Sequence, residues 1–196
     1  MLKVLARLSL LCFVVLPLAC SAAAPKGQQP SEQPPPKTYH EDEVVKDASQ
    51  FFGSGAKGLG EVIAKAFKDQ GEPMAIIKGT EAGGAIGVGL RYGHGDLQYK
   101  GGAGTRVYWQ GPSIGFDIGM NVVKVYALVY NLPSTDALFQ RYPGVEGSLY
   151  FVGGVGVNYV QISKTVIAPV RFGVGWRQGI DVGYMVFSRK KRYVPF

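Results

Sequence analysis

The sequence predicts a mainly β protein: a small soluble antiparallel β-barrel, or a closely wound sandwich, with an N-terminal helical segment and one short inserted helix. Three observations predict it. Short segments of strand character recur from Met74 to Phe187, separated by turn clusters. The 28 glycines follow no triplet period, which excludes collagen and points to glycine-punctuated strands. A hydrophobic content of 46% against 18% charged is too apolar for a disordered chain, and no apolar run reaches the ~18 residues of a spanning helix.

Residues 1–24 read as a secretory signal peptide. Lys3 and Arg7 precede the apolar stretch Leu8 to Leu18, and the small residues Ala19 to Ala24 follow. Leu18, Ala19 and Cys20 fit a lipobox, with Cys20 as the candidate lipid-accepting residue, whereas Pro17 departs from the usual aliphatic residue. Ordinary cleavage around Ala22 to Ala24 is the other outcome. Cys12 lies inside the signal, so in either case no disulfide is expected. Residues 25–37 are rich in Pro and Gln and carry no large apolar side chain, so they read as a disordered tether. In a polyproline-like form it would reach about 40 Å.

Residues 38–72 form a helical segment packed on the β domain. Thr38 and Glu41 have capping-box spacing, and Glu41, Asp42 and Glu43 suit a helix N-terminus. Apolar stripes run through Val44, Val45, Ala48, Phe51 and Phe52, then through Leu59, Val62, Ile63, Ala66 and Phe67. The glycines at 53, 55, 58 and 60 predict two helices with a break, and Gly71 and Pro73 end the second.

Residues 73–196 form the glycine-rich β domain. Strands are expected over Met74 to Lys78, Ala85 to Tyr92, Leu97 to Lys100, Arg106 to Gln110, Ile114 to Ile118 and Val123 to Tyr130. Turns are expected at residues 93–95, 101–104, 111–113 and 119–121. Ser134 caps a short helix carrying Ala137, Leu138 and Phe139, closed by Pro143 and Gly144. Strands resume at Ser148 to Val152, Val155 to Ile162, Val166 to Val174 and Ile180 to Phe187. Glycine alternation, as in Gly87-Val88-Gly89, strips one strand face and lets a sheet curl tightly.

Chemistry-bearing constellations are sparse. His40 and His94 lie far apart, so no metal site is expected, and no cofactor is implied; the 83–89 glycine run lacks the Lys-Ser/Thr of a phosphate loop. No catalytic residue is nominated. His94 beside Asp96 could form an acid/base pair, which keeps an envelope hydrolase as the alternative, but the segment reads more simply as an exposed turn. Glu81 and Arg91 can pair across a hairpin. Tyr92, Trp109 and Trp176 are candidate groove-lining aromatics.

Net charge is +7, of which Lys3 and Arg7 belong to the signal. The run Arg189, Lys190, Lys191 and Arg192 is the candidate anionic-surface binding site, suited to a lipid, a membrane surface or a peptidoglycan-associated component. Nucleic acid is not an expected partner; other envelope proteins are candidate ones. Terminal Phe196 raises an outer-membrane barrel, but Lys190 and Arg192 share a strand face with Val194 and Phe196, which would put charge into lipid.

From Tyr39 to Phe196 the chain resembles the envelope integrity protein A (EipA) family. The resemblance rests on Phe51-Phe52-Gly53, Gly83-Gly84-Ala85, Gly89-Leu90-Arg91-Tyr92-Gly93, Trp109-Gln110-Gly111-Pro112-Ser113, Leu128 to Pro133, Val152-Gly153-Gly154 and Pro195-Phe196. It implies a small β-barrel in the periplasm, needed for envelope integrity, with no assigned enzymatic activity. The Gly111-Pro112-Ser113 turn, the Leu128 to Leu132 segment and the later glycine-rich strand also resemble the SYLF lipid-binding domain, which implies lipid binding by analogy. The expectation is a non-enzymatic periplasmic protein, free or lipid-anchored, that supports the envelope by binding a lipid or another envelope component.

Overall fold

One long hairpin organises the β domain. A computed structural model of the chain describes residues 37–102, 104–172 and 183–192, and at 84–88 and 113–121 it describes the backbone alone. Strands β1 (Ala75–Tyr99) and β2 (Gly104–Tyr130) pair antiparallel, from Ala75 opposite Val129 to Gln98 opposite Gly104. Only the turn after Tyr99 interrupts them, closed by the Gly102 N–H donating to the Tyr99 carbonyl at 3.1 Å. The glycine clusters at 93–95, 111–113 and 119–121 are therefore strand interior, not turns. Glycine there serves close approach: a Cβ on Gly79 would stand 2.1 Å from the His94 carbonyl oxygen, and one on Gly95 2.3 Å from that of Lys78.

Those contacts bring the two halves of β1 side by side, and the Lys100 N–H donates to the Met74 carbonyl at 3.3 Å. A register shift between Gly83 and Ala85 accompanies the bend, in the manner of a β-bulge. On the edge of β2 away from β1, Tyr108 to Gln110 pair with β8 (Tyr184–Ser188), and Lys124 to Tyr130 pair with β7 (Thr165–Phe172). Strand β3 (Arg141–Pro143) pairs β8, β6 (Val160–Ile162) pairs β7, and a bridge between Gly144 and Val160 joins the two. The sheet thereby curls round on itself. Strands β4 (Tyr150–Val152) and β5 (Val155–Val157) extend it beyond β7.

The inserted helix contracts to a 3-10 turn at Asp136–Leu138, and Pro143, expected to close it, instead sits in β3. The single segment Val155 to Ile162 divides into β5 and β6.

Strand alternation sorts side chains into two cores. Ala75, Ile77, Leu97, Val107, Trp109, Val125, Ala127, Val129 and Ile167 point inward, where they meet Tyr142, Met185 and Phe187. Ile76, Tyr126, Leu128, Tyr130, Val166, Ala168 and Val170 point outward, under two helices. Helix α1 (Glu41–Phe52) buries Val44, Ala48 and Phe52, and α2 (Leu59–Gln70) buries Leu59, Val62, Ile63 and Ala66. Both sets repeat at helical spacing, and each buried Val, Leu, Ile or Phe contributes roughly 1.5–3 kcal/mol. Asp47 pins α1 to the sheet by accepting from Tyr126 Oη at 2.7 Å and Lys78 Nζ at 2.6 Å.

The helix cap differs from expectation. His40 is the N-cap, its N–H donating to the Glu43 carboxylate at 3.2 Å. Thr38 instead donates to Glu72 just beyond α2, at 2.5 Å. Glu72 lies 2.8 Å from His40 Nδ1 as well, so both residues tie the start of α1 to the end of α2. The signal peptide, Cys20, residues 25–36 of the tether, Trp176 and residues 193–196 lie outside the described residues. Among the described residues, no helix is long and apolar enough to cross a membrane.

Candidate functional site

The inward face carries charge at one end of β7. Arg171 is fully buried, and its guanidinium forks onto Glu81, with Nε 3.0 Å from Oε1 and Nη2 3.3 Å from Oε2. Nη1 donates to Asn158 Oδ1 at 2.7 Å, and Trp109 Nε1 donates to Glu81 Oε2 at 2.7 Å. Burial would raise the Glu81 carboxyl, but the positive charges of Arg171 and Arg91 and these hydrogen bonds outweigh it and hold the group below the usual carboxylate range. Glu81 thus pairs with Arg171, not across a hairpin with Arg91, which adds its field from the second half of β1. Arg171 was missed from sequence. Its signal was a lone ionisable residue in the otherwise apolar run Val166 to Phe172. A charge within such a run requires a partner on the same face.

The outward face of β1 and β2 beyond the bend is polar. Register sets Asp96 opposite Arg106, His94 opposite Tyr108 and Tyr92 opposite Gln110. Arg106 Nη1 donates to both Asp96 oxygens, at 3.0 and 3.2 Å. Asp96 is therefore engaged with Arg106, and no hydrogen bond joins it to His94 among the described residues; the pair sits within β1, not in a turn. Nothing in this geometry supports the hydrolase.

A cleft of about 400 Å³ opens over these rungs, lined by Tyr92, His94, Arg106, Tyr108, Lys191 and Arg192 among others. It brings together two of the three sequence-nominated aromatics, since Trp109 also borders it, with half of the basic run. A second cleft of about 440 Å³ lies across the tail, bordered by Phe139, Arg189, Lys190 and Arg192. The tail is anchored between them. Arg189 ion-pairs with Asp136 and lies 4.3 Å from the centre of the Phe139 ring, while Ser188 Oγ donates to the Lys190 carbonyl at 2.8 Å. Among the described residues no carboxylate lines either cleft.

Fold and site together define a mainly β, barrel-like protein with an ionic interior and a basic, aromatic cleft on its outer face. Residues 37–196 match the model of the family Envelope integrity protein A, and the chain belongs to that family. A beta-barrel-like, uncharacterized protein from Brucella abortus is similar in structure, with 41% identity and a TM-score of 0.74 over 81% of this chain and 99% of that one. No curated protein matches.

Proposed function

We propose that the protein is a non-enzymatic periplasmic component that supports envelope integrity by binding an anionic lipid head group at the envelope surface. One observation carries the reading: Arg106, Lys191 and Arg192 converge on one cleft, where Asp96, paired with Arg106, is the carboxylate beside three basic groups. Each basic residue near an anionic surface adds about 1 kcal/mol of attraction. The family name and the signal-like N-terminus support an envelope location, and a lipid on Cys20 would set residues 25–37 as a spacer from the membrane.

Flotation with phosphatidylglycerol vesicles tests the binding. Retention should fall as salt rises from low to physiological ionic strength, since the Debye length shortens to about 8 Å. Absence of retention on anionic vesicles would remove the lipid reading. Incorporation of labelled fatty acid into the wild-type chain but not into Cys20→Ser separately decides the anchor.

A further inference from the structure

The two basic clefts differ in what lies beside their cations, and the first has a more specific chemistry than charge. Tyr92 and Tyr108 stand on the outer face of adjacent strands, one rung apart in the β1 and β2 register, with His94 opposite Tyr108. Arg106, one rung further, is held in place by its two contacts to Asp96. Lys191 and Arg192 follow β8, whose Ser188 pairs with Tyr108, so the tail emerges beside the phenol rings. Anchoring of Arg189 to Asp136 and Phe139 fixes where that tail leaves the sheet.

Resting on the anionic-binding reading above, we infer that this cleft takes an anionic sugar: a pyranose ring against Tyr92 and Tyr108, its phosphate or carboxylate among Arg106, Lys191 and Arg192. A pyranose presents an apolar face of C–H bonds that packs on the electron-rich face of a phenol. Its anionic substituent needs donors at the ring edge, which the guanidinium and ammonium groups supply through charge-assisted hydrogen bonds. The volume of about 400 Å³ lies toward the small end of small-molecule sites, roughly 300–1,000 Å³. An acyl chain is a poorer fit, because the inward space behind the cleft is filled by Trp109, Tyr142, Met185 and Phe187, none more than 3% exposed. The head group, not a tail, is then the recognised part.

Residues 35–196 suit the experiment, since they form one compact unit that contains both cores. Resonances of Tyr92, His94 and Tyr108 would be followed by NMR during titration with glucosamine 1-phosphate, glucosamine or inorganic phosphate. The sugar phosphate should bind about tenfold tighter than either part alone, because only it engages rings and cations together. Tyr108→Ala should remove that advantage, and Tyr108→Phe, which keeps the ring, should retain it and show that the fold is intact. Equal binding of inorganic phosphate or of glucosamine, or no perturbation by any of the three, overturns the inference.

Phosphatidylglycerol vesicles run alongside separate the two levels. Flotation on them with no sugar-phosphate binding sinks the sugar and leaves the anionic reading standing; failure of both sinks both. If the sugar phosphate binds, vesicles doped with an acylated, phosphorylated glucosamine disaccharide identify its source. Stronger retention than on phosphatidylglycerol vesicles of equal charge assigns a glycolipid head group, and equal retention assigns a free glycan.

Discussion

Trp109 donates its indole N–H to Glu81 at 2.7 Å, and it does so beside Gly93, its cross-strand neighbour, which has no side chain to obstruct the ring. A Cβ at Gly93 would stand 2.0 Å from indole Cε2, closer than any real contact. Gly93→Ala should therefore displace the indole and break its bond to Glu81, with a loss of roughly 2–4 kcal/mol from overpacking and the unsatisfied carboxylate together. Trp109→Phe, which deletes the donor and keeps an aromatic ring, should cost roughly 1–3 kcal/mol. Urea unfolding of the two variants measures both, and a Gly93→Ala midpoint equal to wild type would contradict the packing described.

The Glu81 and Arg171 pair predicts a non-additive cycle. Arg171→Met strips the guanidinium fork from a buried carboxylate and should cost roughly 3–5 kcal/mol. Adding Glu81→Gln, which removes the stranded charge while keeping an acceptor for Trp109, should recover much of that loss. A double variant no more stable than Arg171→Met alone would show that the charge is not what the arginine compensates.

Acid unfolding reads the same pair. The folded carboxyl of Glu81 lies below its ordinary value, so its contribution is fully present above the unfolded carboxylate value of about 4.3 and is lost as pH falls through the lower folded one. Wild type should lose stability across that acid window more steeply than Glu81→Gln, measured by thermal unfolding at stepped pH. Parallel curves for the two proteins would contradict the assignment.

These residues mark where sequence reading reached and where it stopped. The helices were legible because Val44, Ala48 and Phe52, and Leu59, Val62 and Ile63, repeat at helical spacing, and the antiparallel β domain because its strands alternate. Glycine was the ambiguous letter. Gly93 and Gly111 looked like turn residues, yet each sits inside a strand because a ring or a carbonyl from elsewhere occupies the space of its missing side chain, and such contacts are tertiary. The ionic core was hidden for the same reason: Glu81 and Arg171 are distant in sequence and meet only because β1 and β7 flank the same stretch of β2. Tyr92 and Trp109, candidate groove-lining aromatics in the sequence, border one cleft with Lys191 and Arg192, while Arg106 reads in the sequence as an ordinary strand charge.

Anchoring of the tail can be separated from its charge. Arg189→Gln removes the ion pair with Asp136 and the cation over Phe139 but leaves Lys190, Lys191 and Arg192 in place. Because exposed pairs contribute little, global stability should barely move. Vesicle binding should nonetheless weaken several-fold more than in Lys164→Gln, which deletes one exposed charge from a residue outside both clefts. Equal losses in the two variants would mean that net charge, not a positioned tail, drives association.

Two glycine substitutions should move stability in opposite directions. Gly60 lies on the exposed first turn of α2, and a Cβ there meets nothing within 4 Å, so Gly60→Ala should stabilise by roughly 0.5–1 kcal/mol through helix propensity and a less flexible unfolded chain. Gly79 lies where the halves of β1 meet, with the His94 carbonyl oxygen 2.1 Å and the Gly95 Cα 2.7 Å from the added carbon. Both obstacles are backbone, so neither can swing aside. Gly79→Ala must push the two halves apart and loosen the Lys100 to Met74 hydrogen bond, at a cost of roughly 1–3 kcal/mol or more. Hydrogen exchange at the Lys100 amide, compared with urea midpoints for both variants, distinguishes a local opening of this seam from general destabilisation. Faster exchange at Lys100 in Gly79→Ala alone locates the closure of the curled sheet at these glycines; unchanged exchange there would place it elsewhere.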